Sequence, residues 1–471
     1  MRSDAKGRTS TIEHNSILIR NGWIVTMNPE REILRGSLYL ENGRILELPS
    51  VRQTADIVID ADGMLVLPGF VQTHLHLCQV LFRGLADDMD VVDWLKQRIW
   101  PFESSHNDRS IHASAMLGIA ELIASGTTTA LTMESALHTD AVFDAIEQTG
   151  FRAVTGNAMM DVVEPGTMMR ALNTDESFLE TQRLFHTWHG RANGRIHVAV
   201  MPRGARNCSD DLIARSRRFA EDNGLLLHTH VSENGWLSEH LKKTTGLSDM
   251  ELLEQQHMAC SRLVIAHGVW LSDHDAEIIK RRGVRIAHCP SANLKLASGF
   301  CRVPELRAQG ILFGLGADGA PCSNTLDMFV EMREAALIHK PRCGPKALPA
   351  SDILSLATID GARCLHMENE IGSLEPGKRA DVIILDPHQL HCSPSLCTPV
   401  ESQIVYAMHA GDVVTTIIDG QILYRDRTFT RFHRDQLLRT AEQELEQALH
   451  RVPFGPHLLG NSLQRRMKTC D

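Results

Sequence analysis

The stretch Leu65-Val-Leu-Pro-Gly-Phe-Val-Gln-Thr-His-Leu-His-Leu77 ends an apolar run with two histidines one residue apart. Side chains alternate faces along a strand, so His74 and His76 point the same way, about 7 Å apart along the backbone. Two imidazoles at that spacing can converge on one metal ion. In a parallel barrel the pair would lie at the carboxyl end of its strand, where barrel enzymes carry their chemistry. Alone, the pair is a weak signal in a chain with 24 histidines, and a polar loop end is the competing interpretation.

Length and composition limit the class of protein. A chain of 471 residues, 43% of them hydrophobic, predicts one large domain with a smaller companion. A net charge of −10 argues against nucleic acid or an anionic membrane as the main partner. We expect a cytoplasmic protein, because the N-terminus lacks a signal-type apolar segment and no run of about 18 apolar residues occurs. The 11 cysteines form no CxxC motif, so they suggest neither a zinc knuckle nor a disulfide framework.

Both ends of the chain have the sequence pattern of short β-strands. Apolar runs between residues 15 and 64 are cut by Asn-Gly pairs at 21–22 and 42–43, which predict hairpin turns. Similar runs at 379–386 and 413–424 include an Asp419-Gly420 turn. We predict one β-sandwich domain formed by residues 1–66 and 371–471, with a C-terminal helix over 434–450.

The middle of the chain alternates β-rich runs with helical patterns of period 3.6, which is typical of βα units. Helix signals include the capping residues Ser209, Ser248 and Ser272 and the terminating glycines Gly224 and Gly283. We predict a (β/α)8 TIM-like barrel over residues 67–370, in an α/β fold class. Its eight strands are predicted to end near His76, Glu134, Asn157, Arg203, His230, His267, His288 and Asp318.

The strand ends carry candidate ligands and catalytic groups. Strand five ends in His230, with Glu233 three residues on, and strands six and eight end in His267 and Asp318. Three histidines and one aspartate would suit zinc or a similar divalent ion with a water molecule. Such an ion lowers the pKa of bound water from about 15.7 to about 7.

These residues have distinct predicted roles around the water. Glu233 is suited to carry a proton from the water to the leaving group, while His267 and Asp318 orient the nucleophile. His228 faces the same side of its strand and is a candidate neighbour of the ligands, and His288 has no assigned role. Strand four offers no lysine to bridge two metals, so we expect one ion.

Five motifs in this order resemble those of the amidohydrolase superfamily, in the branch of guanine deaminase, adenosine-type deaminases and triazine chlorohydrolases and aminohydrolases. They are Pro68-Gly-Phe-Val-Gln-Thr-His-Leu-His76, His230-Val-Ser-Glu233, Ala266-His-Gly268, Ala287-His-Cys-Pro-Ser-Ala-Asn293 and Gly316-Ala-Asp-Gly319. The resemblance implies one metal, zinc with iron as the alternative, bound by His74, His76, His230 and Asp318. It further implies Glu233 as proton shuttle, His267 near the water, and a homodimer or larger assembly.

Three residues are candidates for substrate contact. Gln79 matches a position that touches the purine in guanine deaminase, and Pro202-Arg203 is similar to that enzyme's Pro-Arg-Phe segment. Here Gly204 replaces the phenylalanine, which removes a stacking surface and suggests a larger or differently placed heterocycle. Arg203 could bind a ring carbonyl or carboxylate, or form a salt bridge at the barrel rim. Trp94 could form part of the pocket wall, or it could serve only in packing.

The sequence therefore predicts a metal-dependent hydrolytic deaminase of an amino-substituted purine, pterin, pyrimidine or triazine ring. One alternative is a triazine chlorohydrolase, which needs less proton donation because chloride leaves unprotonated. Glu233 favours ammonia as the leaving group. A non-catalytic barrel used as a binding module is a third hypothesis. No predicted ligand is missing from this chain, which argues against that third hypothesis.

Overall fold

The computed structural model describes residues 15–163, 166–169, 171–395 and 397–458. Its strands form two sheets, a parallel sheet closed into a barrel and a second, smaller sheet from both ends of the chain. This architecture confirms the predicted fold class. Every helix in these ranges is too short or too polar to cross a membrane.

The N-terminal segment supplies five strands of the smaller sheet. They are β1 Ser16–Val25, β2 Ile33–Glu41, β3 Arg44–Glu47, β4 Ile57–Asp60 and β5 Leu65–Pro68. Asn42 and Gly43 turn the β2–β3 hairpin with φ of 50° and 77°, as predicted. The predicted turn at Asn21-Gly22 is wrong, because β1 runs through it with a bulge. Gly22 is needed there for packing, since a Cβ would lie 2.7 Å from Val66 Cγ2.

Ten strand segments fill the eight strand positions of the barrel, here called staves. The fourth and the eighth stave each consist of two segments. They are β6 Phe70–His76, β7 Thr127–Glu134, β8 Arg152–Met159, β9 Ile196–Val198, β10 Met201–Pro202, β11 Leu227–Val231, β12 Leu263–His267, β13 Arg285–His288, β14 Phe313–Leu315 and β15 Asp318–Gly319. All neighbouring staves pair in parallel. Parallel bridges Val200–Leu227 and Gly204–His230 close the ring between staves four and five. The eight predicted strand ends therefore meet at one mouth.

Four C-terminal strands complete the smaller sheet. They are β16 Val382–Leu385, β17 Val413–Ile418, β18 Gln421–Arg425 and β19 Thr428–Phe429. The β5 strand joins the two halves, pairing parallel with β1 and antiparallel with β16. The sheet curls back on itself, because the Ile45 amide donates to the Lys378 carbonyl at 2.9 Å. The curl encloses a separate apolar core that includes Ile19, Leu38 and Val382. The domain boundaries at residues 66 and 370 stay a prediction.

Helices follow the barrel staves as the capping signals predicted. Ser209, Ser248 and Ser272 are N-caps, and Gly224 and Gly283 end helices in the left-handed conformation. The main helices are Trp100–Ser104, Asp108–Ala124, Thr139–Thr149, Thr174–Trp188, Asp210–Asn223, Gly235–Thr245, Asp249–Gln255, Asp273–Arg282, Pro290–Lys295, Val303–Ala308, Met328–Ile338, Ala350–Leu356, Ile359–Cys364 and Arg434–Leu449.

A buried ion pair fastens the barrel to the smaller domain. Arg152, at the start of β8, donates from Nε and Nη2 to the two carboxylate oxygens of Asp381 at 2.8 and 2.9 Å. Both side chains are almost fully buried. A two-point pair of this kind fixes direction as well as distance. It holds the amino end of the barrel against the segment that enters β16.

Candidate metal centre and active site

Five side chains from four staves converge at the carboxyl mouth of the barrel. Nε2 of His74 and Nε2 of His76 each lie 3.2 Å from Asp318 Oδ1. Nε2 of His230 lies 3.4 Å from Nε2 of His76. Potential ligand atoms of His74, His230, His267 and Asp318 all lie within 4.8 Å of one another. Ligands on a tetrahedral zinc ion are about 3.3 Å apart, given bonds of about 2.0 Å, so these separations suit such an ion.

The backbone bends sharply where two of these residues leave their strands. His267 and Asp318 have φ of 73° and 61°, in the left-handed region that non-glycine residues rarely occupy. Each such residue costs about 1–3 kcal/mol and persists only where the surrounding structure enforces it. The strain turns both side chains toward the barrel axis. Strained residues of this kind cluster at functional sites.

Hydrogen bonds fix which nitrogen of His76 and His230 faces the centre. Nδ1 of His76 donates to the Met133 carbonyl at 2.6 Å, and Nδ1 of His230 donates to the Arg203 carbonyl at 2.7 Å. A carbonyl only accepts, so both protons sit on Nδ1 in the neutral rings. Nε2 of each ring then carries a lone pair directed at the centre. This is the usual way in which proteins orient a metal-binding imidazole.

His228 orients the third imidazole through a relay. Its Nδ1 donates to the Val264 carbonyl at 2.7 Å, which leaves its Nε2 to accept the Nδ1 proton of His74 at 2.8 Å. Burial lowers the pKa of His228 well below its usual value and that of His74 to about 4, so both rings are neutral at pH 7. Nε2 of His74 is then an unprotonated, buried atom without a hydrogen-bond partner among the described residues. A cation would satisfy it.

Asp318 supplies the negative charge. Burial opposes its ionisation, but hydrogen bonds from His74 and His76 outweigh that effect when their Nε2 atoms carry protons, and they hold the pKa of Asp318 well below its usual range. Three aligned imidazole lone pairs and one carboxylate are the donor set of a divalent ion of the zinc type. The residues present therefore fit a divalent metal.

Glu233 and His267 face each other beside these donors. Glu233 Oε2 lies 3.9 Å from His267 Nε2, a nitrogen without a hydrogen-bond partner among the described residues. Nδ1 of His267 donates to Asn293 Oδ1 at 3.0 Å, which leaves Nε2 as the unprotonated nitrogen. Burial raises the pKa of Glu233 above its ordinary value. A carboxyl with a raised pKa can take up a proton and release it to a substrate.

The pocket above this centre contains all three predicted substrate contacts. Gln79, Trp94 and Arg203 line it together with Trp100 and Glu233. Trp94 is also buried in an apolar cluster. It therefore packs against the core and forms part of the pocket wall. The pocket is thus lined by both aromatic rings and ionisable groups.

Arg203 is engaged by a partner that the sequence did not reveal. Glu103 accepts hydrogen bonds from Arg203 Nη1 at 2.6 Å and Nη2 at 3.0 Å, and from Gln79 Nε2 at 2.9 Å. The predicted alternative of a salt bridge is therefore present. Gln79 Oε1 has no partner among the described residues and stays available as an acceptor.

A known protein family matches most of this chain. Residues 65–423 match the model of the amidohydrolase family. The chain belongs to the amidohydrolase family. It is a hydrolase of that family, acting on non-peptide carbon–nitrogen bonds.

Two curated relatives of this amidohydrolase span nearly its whole length. It is 35% identical over 439 residues to a 5'-deoxyadenosine deaminase of Methanosarcina mazei, covering 93% of this chain and 99% of that one. It is 36% identical over 434 residues to a 5-methylthioadenosine/S-adenosylhomocysteine deaminase of Desulfitobacterium hafniense, covering 91% and 98%. A zinc-bound adenosine deaminase from Xanthomonas campestris superposes with a TM-score of 0.85 at 29% identity, over 92% of this chain and 98% of that chain.

Two further buried residues of this amidohydrolase lie near the centre without a predicted role. His288 ends β13, and both of its ring nitrogens lack partners among the described residues. Glu331, on the helix Met328–Ile338, accepts the Ser291 amide at 3.2 Å. Burial lowers the pKa of His288 and raises that of Glu331 to about 8. Neither belongs to the set of groups close enough to share the metal.

Proposed function

We propose that this amidohydrolase removes the exocyclic amino group of an adenine-type nucleoside by hydrolysis. Water adds to the ring carbon that bears the amino group, the carbon–nitrogen bond breaks, and ammonia leaves as the ring gains an oxo group. The observation that carries the proposal is the buried set of imidazole nitrogens that converge on Asp318, with Glu233 lining the pocket beside them. The two curated relatives support an aminopurine, and their named substrates are adenosines altered at the 5' position.

In this proposal His74, His76, His230 and Asp318 hold one zinc ion. The ion, when bound, makes water nucleophilic at neutral pH. The relay through His228 and the carbonyls of Met133 and Arg203 keep the three ring nitrogens unprotonated and aimed inward. Three neutral ligands and one carboxylate leave a net positive centre, which favours a nucleophile of hydroxide character.

Glu233 moves the protons. It accepts one from the attacking water and donates one to the leaving amino group, for which burial has raised its pKa. His267, held by Asn293, directs its unprotonated Nε2 at the same place. The proton that Glu233 takes from water thus reaches the amino group, which leaves as ammonia, while the second proton of the water ends on the ring nitrogen of the oxo product.

Gln79 is the proposed contact to the ring edge. Its Nε2 is fixed on Glu103, and its free Oε1 can accept a hydrogen bond from the exocyclic amino group or from the N–H that the ring gains in the oxo product. Arg203 shapes the pocket wall through its ion pair with Glu103. Trp94 and Trp100 offer apolar surface for the part of the substrate that extends beyond the ring.

The test is a panel of amino-heterocycles incubated with zinc-loaded protein, with ammonia release and product mass as readouts. The panel holds 5'-deoxyadenosine, 5'-methylthioadenosine, S-adenosylhomocysteine, adenosine, guanine, a pterin and a chlorinated triazine. We expect kcat/KM to be highest for a 5'-altered adenosine, with the oxo-purine as product. Chloride release from the triazine without ammonia release from any purine would establish the chlorohydrolase instead. No turnover of any member would favour a binding module.

A further inference from the structure

A second group of metal-binding side chains lies in the smaller domain, away from the barrel mouth. It consists of His391, His409 and Asp412. His391 sits on the 3-10 turn Leu390–Cys392, and Asp412 ends the turn Ala410–Asp412 that leads into β17. Potential ligand atoms of the three lie within 4.8 Å of one another. The two turns are separated in sequence and come together at this cluster.

We propose that His391, His409 and Asp412 form a second site for a zinc-type divalent ion, in addition to the catalytic one. Asp412 Oδ2 lies 2.9 Å from His391 Nε2 and 3.7 Å from His409 Nδ1. Ligand atoms on a tetrahedral zinc ion are about 3.3 Å apart, which falls between these two values. Side-chain shifts of about half an ångström therefore suffice. Two imidazoles and a carboxylate leave the fourth position to water, as on zinc sites that remain open.

The carboxylate is already positioned for this role. The Asp412 side chain is only 2% exposed, and its Oδ2 also accepts the His409 amide at 3.0 Å. The Asp386 amide binds the Asp412 carbonyl at 2.8 Å, which fixes the turn from the other side. A buried carboxylate is costly unless cations or donors surround it. The ion would add charge compensation that the present hydrogen bonds supply only in part.

The two imidazoles stack on each other beside the carboxylate. Their rings stack with centroids 4.3 Å apart and planes 28° apart. Both rings reach the same carboxylate oxygen, Asp412 Oδ2, from this stacked arrangement. Nδ1 of His409 currently accepts the Gly411 amide at 3.1 Å. Coordination through Nδ1 would free that amide, which is exposed and can bind water instead.

The bound ion would cross-link the two turns. It would link residues 390–392 to the start of β17 and so fasten the outer part of the smaller domain. A ligand that binds only the folded chain raises the melting temperature as its concentration rises above Kd. The site would therefore appear as zinc-dependent stability that is separate from catalysis.

The experiment counts ions on the full-length holoenzyme. The parent, His391→Ala and His409→Ala are dialysed against a series of free zinc concentrations up to 100 µM, about the upper end of a specific micromolar site. Bound zinc is measured by plasma emission. We expect the parent to bind one equivalent more than either variant, with its melting temperature rising over the same range. Turnover, measured with the catalytic ion alone, should be equal in all three proteins.

His388→Ala is the matched control, because His388 also pairs with a carboxylate, Asp386, at 3.0 Å but belongs to no group of three candidate ligands among the described residues. The control should keep the parent's zinc count and melting curve. Equal counts for the parent and the two cluster variants would overturn the proposal, as would loss of the extra equivalent in His388→Ala. The difference in bound zinc between the parent and each cluster variant does not depend on the barrel site. The result can therefore be interpreted even if the proposed function fails its own test.

Discussion

Arg203 and Glu103 form a two-point ion pair inside the wall of the active-site pocket, with hydrogen bonds of 2.6 and 3.0 Å. Their side chains are 8% and 9% exposed. The guanidinium that the sequence offered for substrate binding is thus turned toward the protein. The pair connects the end of stave four to the helix Trp100–Ser104 and, through Gln79, to the turn after stave one. It joins three pieces of pocket wall into one rigid unit.

Replacing Arg203 by methionine should lower the free energy of unfolding by about 3–5 kcal/mol, because Glu103 would stay buried without a counter-charge. Urea unfolding followed by circular dichroism measures this. The double variant Arg203→Met with Glu103→Gln should recover much of the loss, since it removes the orphaned charge. Parent-like stability with a depressed kcat/KM would instead show that Arg203 acts mainly on the substrate.

Glu233→Gln should lower kcat by a factor of about 10² to 10⁴ with unchanged metal content, since an amide cannot relay a proton. Steady-state kinetics and elemental analysis of the same preparation check this. Glu239→Gln, an exposed position on the helix Gly235–Thr245, serves as control. Turnover within threefold of the parent would reject the proton-shuttle role.

His228→Leu should weaken zinc affinity by about 10- to 100-fold, because Nδ1 of His74 would lose the acceptor that fixes its tautomer. Added zinc should then restore most of the activity, in contrast to Glu233→Gln. A competition titration with a chelator gives the affinity. His228→Gln retains an acceptor and should fall between parent and His228→Leu. An unaltered zinc affinity in His228→Leu would show that His228 does not orient His74 for metal binding.

Gly319→Ala tests the position of Gln79. A Cβ at residue 319 would lie 1.9 Å from Gln79 Oε1, and no left-handed strain complicates the change. We expect Gln79 to be displaced and kcat/KM to fall, while metal content stays the same. The same change in a Gln79→Ala background should have little further effect. Additive losses in the double variant would mean that Gly319 matters for another reason.

Glu331 should make stability depend on pH. Burial raises its pKa from 4.5 to about 8 in the folded protein. The unfolded chain releases this proton near pH 4.5, so stability contributed by Glu331 is complete below that pH and is lost as pH rises toward 8. Glu331→Gln should flatten the fall in unfolding free energy between pH 5 and 8, measured at constant zinc. Glu334→Gln, on the same helix, controls for the loss of one carboxylate. Identical slopes for parent and Glu331→Gln would contradict the prediction.

Much of the site was predictable because its main residues follow apolar strands. His74, His76, His230, His267 and Asp318 end staves of the barrel, and a closed parallel sheet brings all such ends to one mouth. That four of them ligate one ion stays a prediction. Strand periodicity predicted that these side chains meet, whereas the choice of four of them as ligands was implied by the resemblance to the amidohydrolase superfamily.

Glu103 and Asn293 were missed for a physical reason. Both lie on short helices after the staves, where the sequence carries no periodic mark of which way a side chain points. Their contacts with Arg203 and His267 depend on tertiary packing. The Asn21-Gly22 error has a similar origin, since Asn-Gly favours both a hairpin turn and a bulge and only the neighbour Val66 decides between them.

The pairing of β15 with β6 places Asp318, from the last stave, beside the histidines of the first. On the ribosome those histidines emerge early, whereas their carboxylate partner appears only after seven staves have been made. The proposed set of four metal ligands is therefore complete only once the last stave is in place. A nascent chain or proteolytic fragment that stops before residue 318 would hold neither ion nor activity at the barrel mouth.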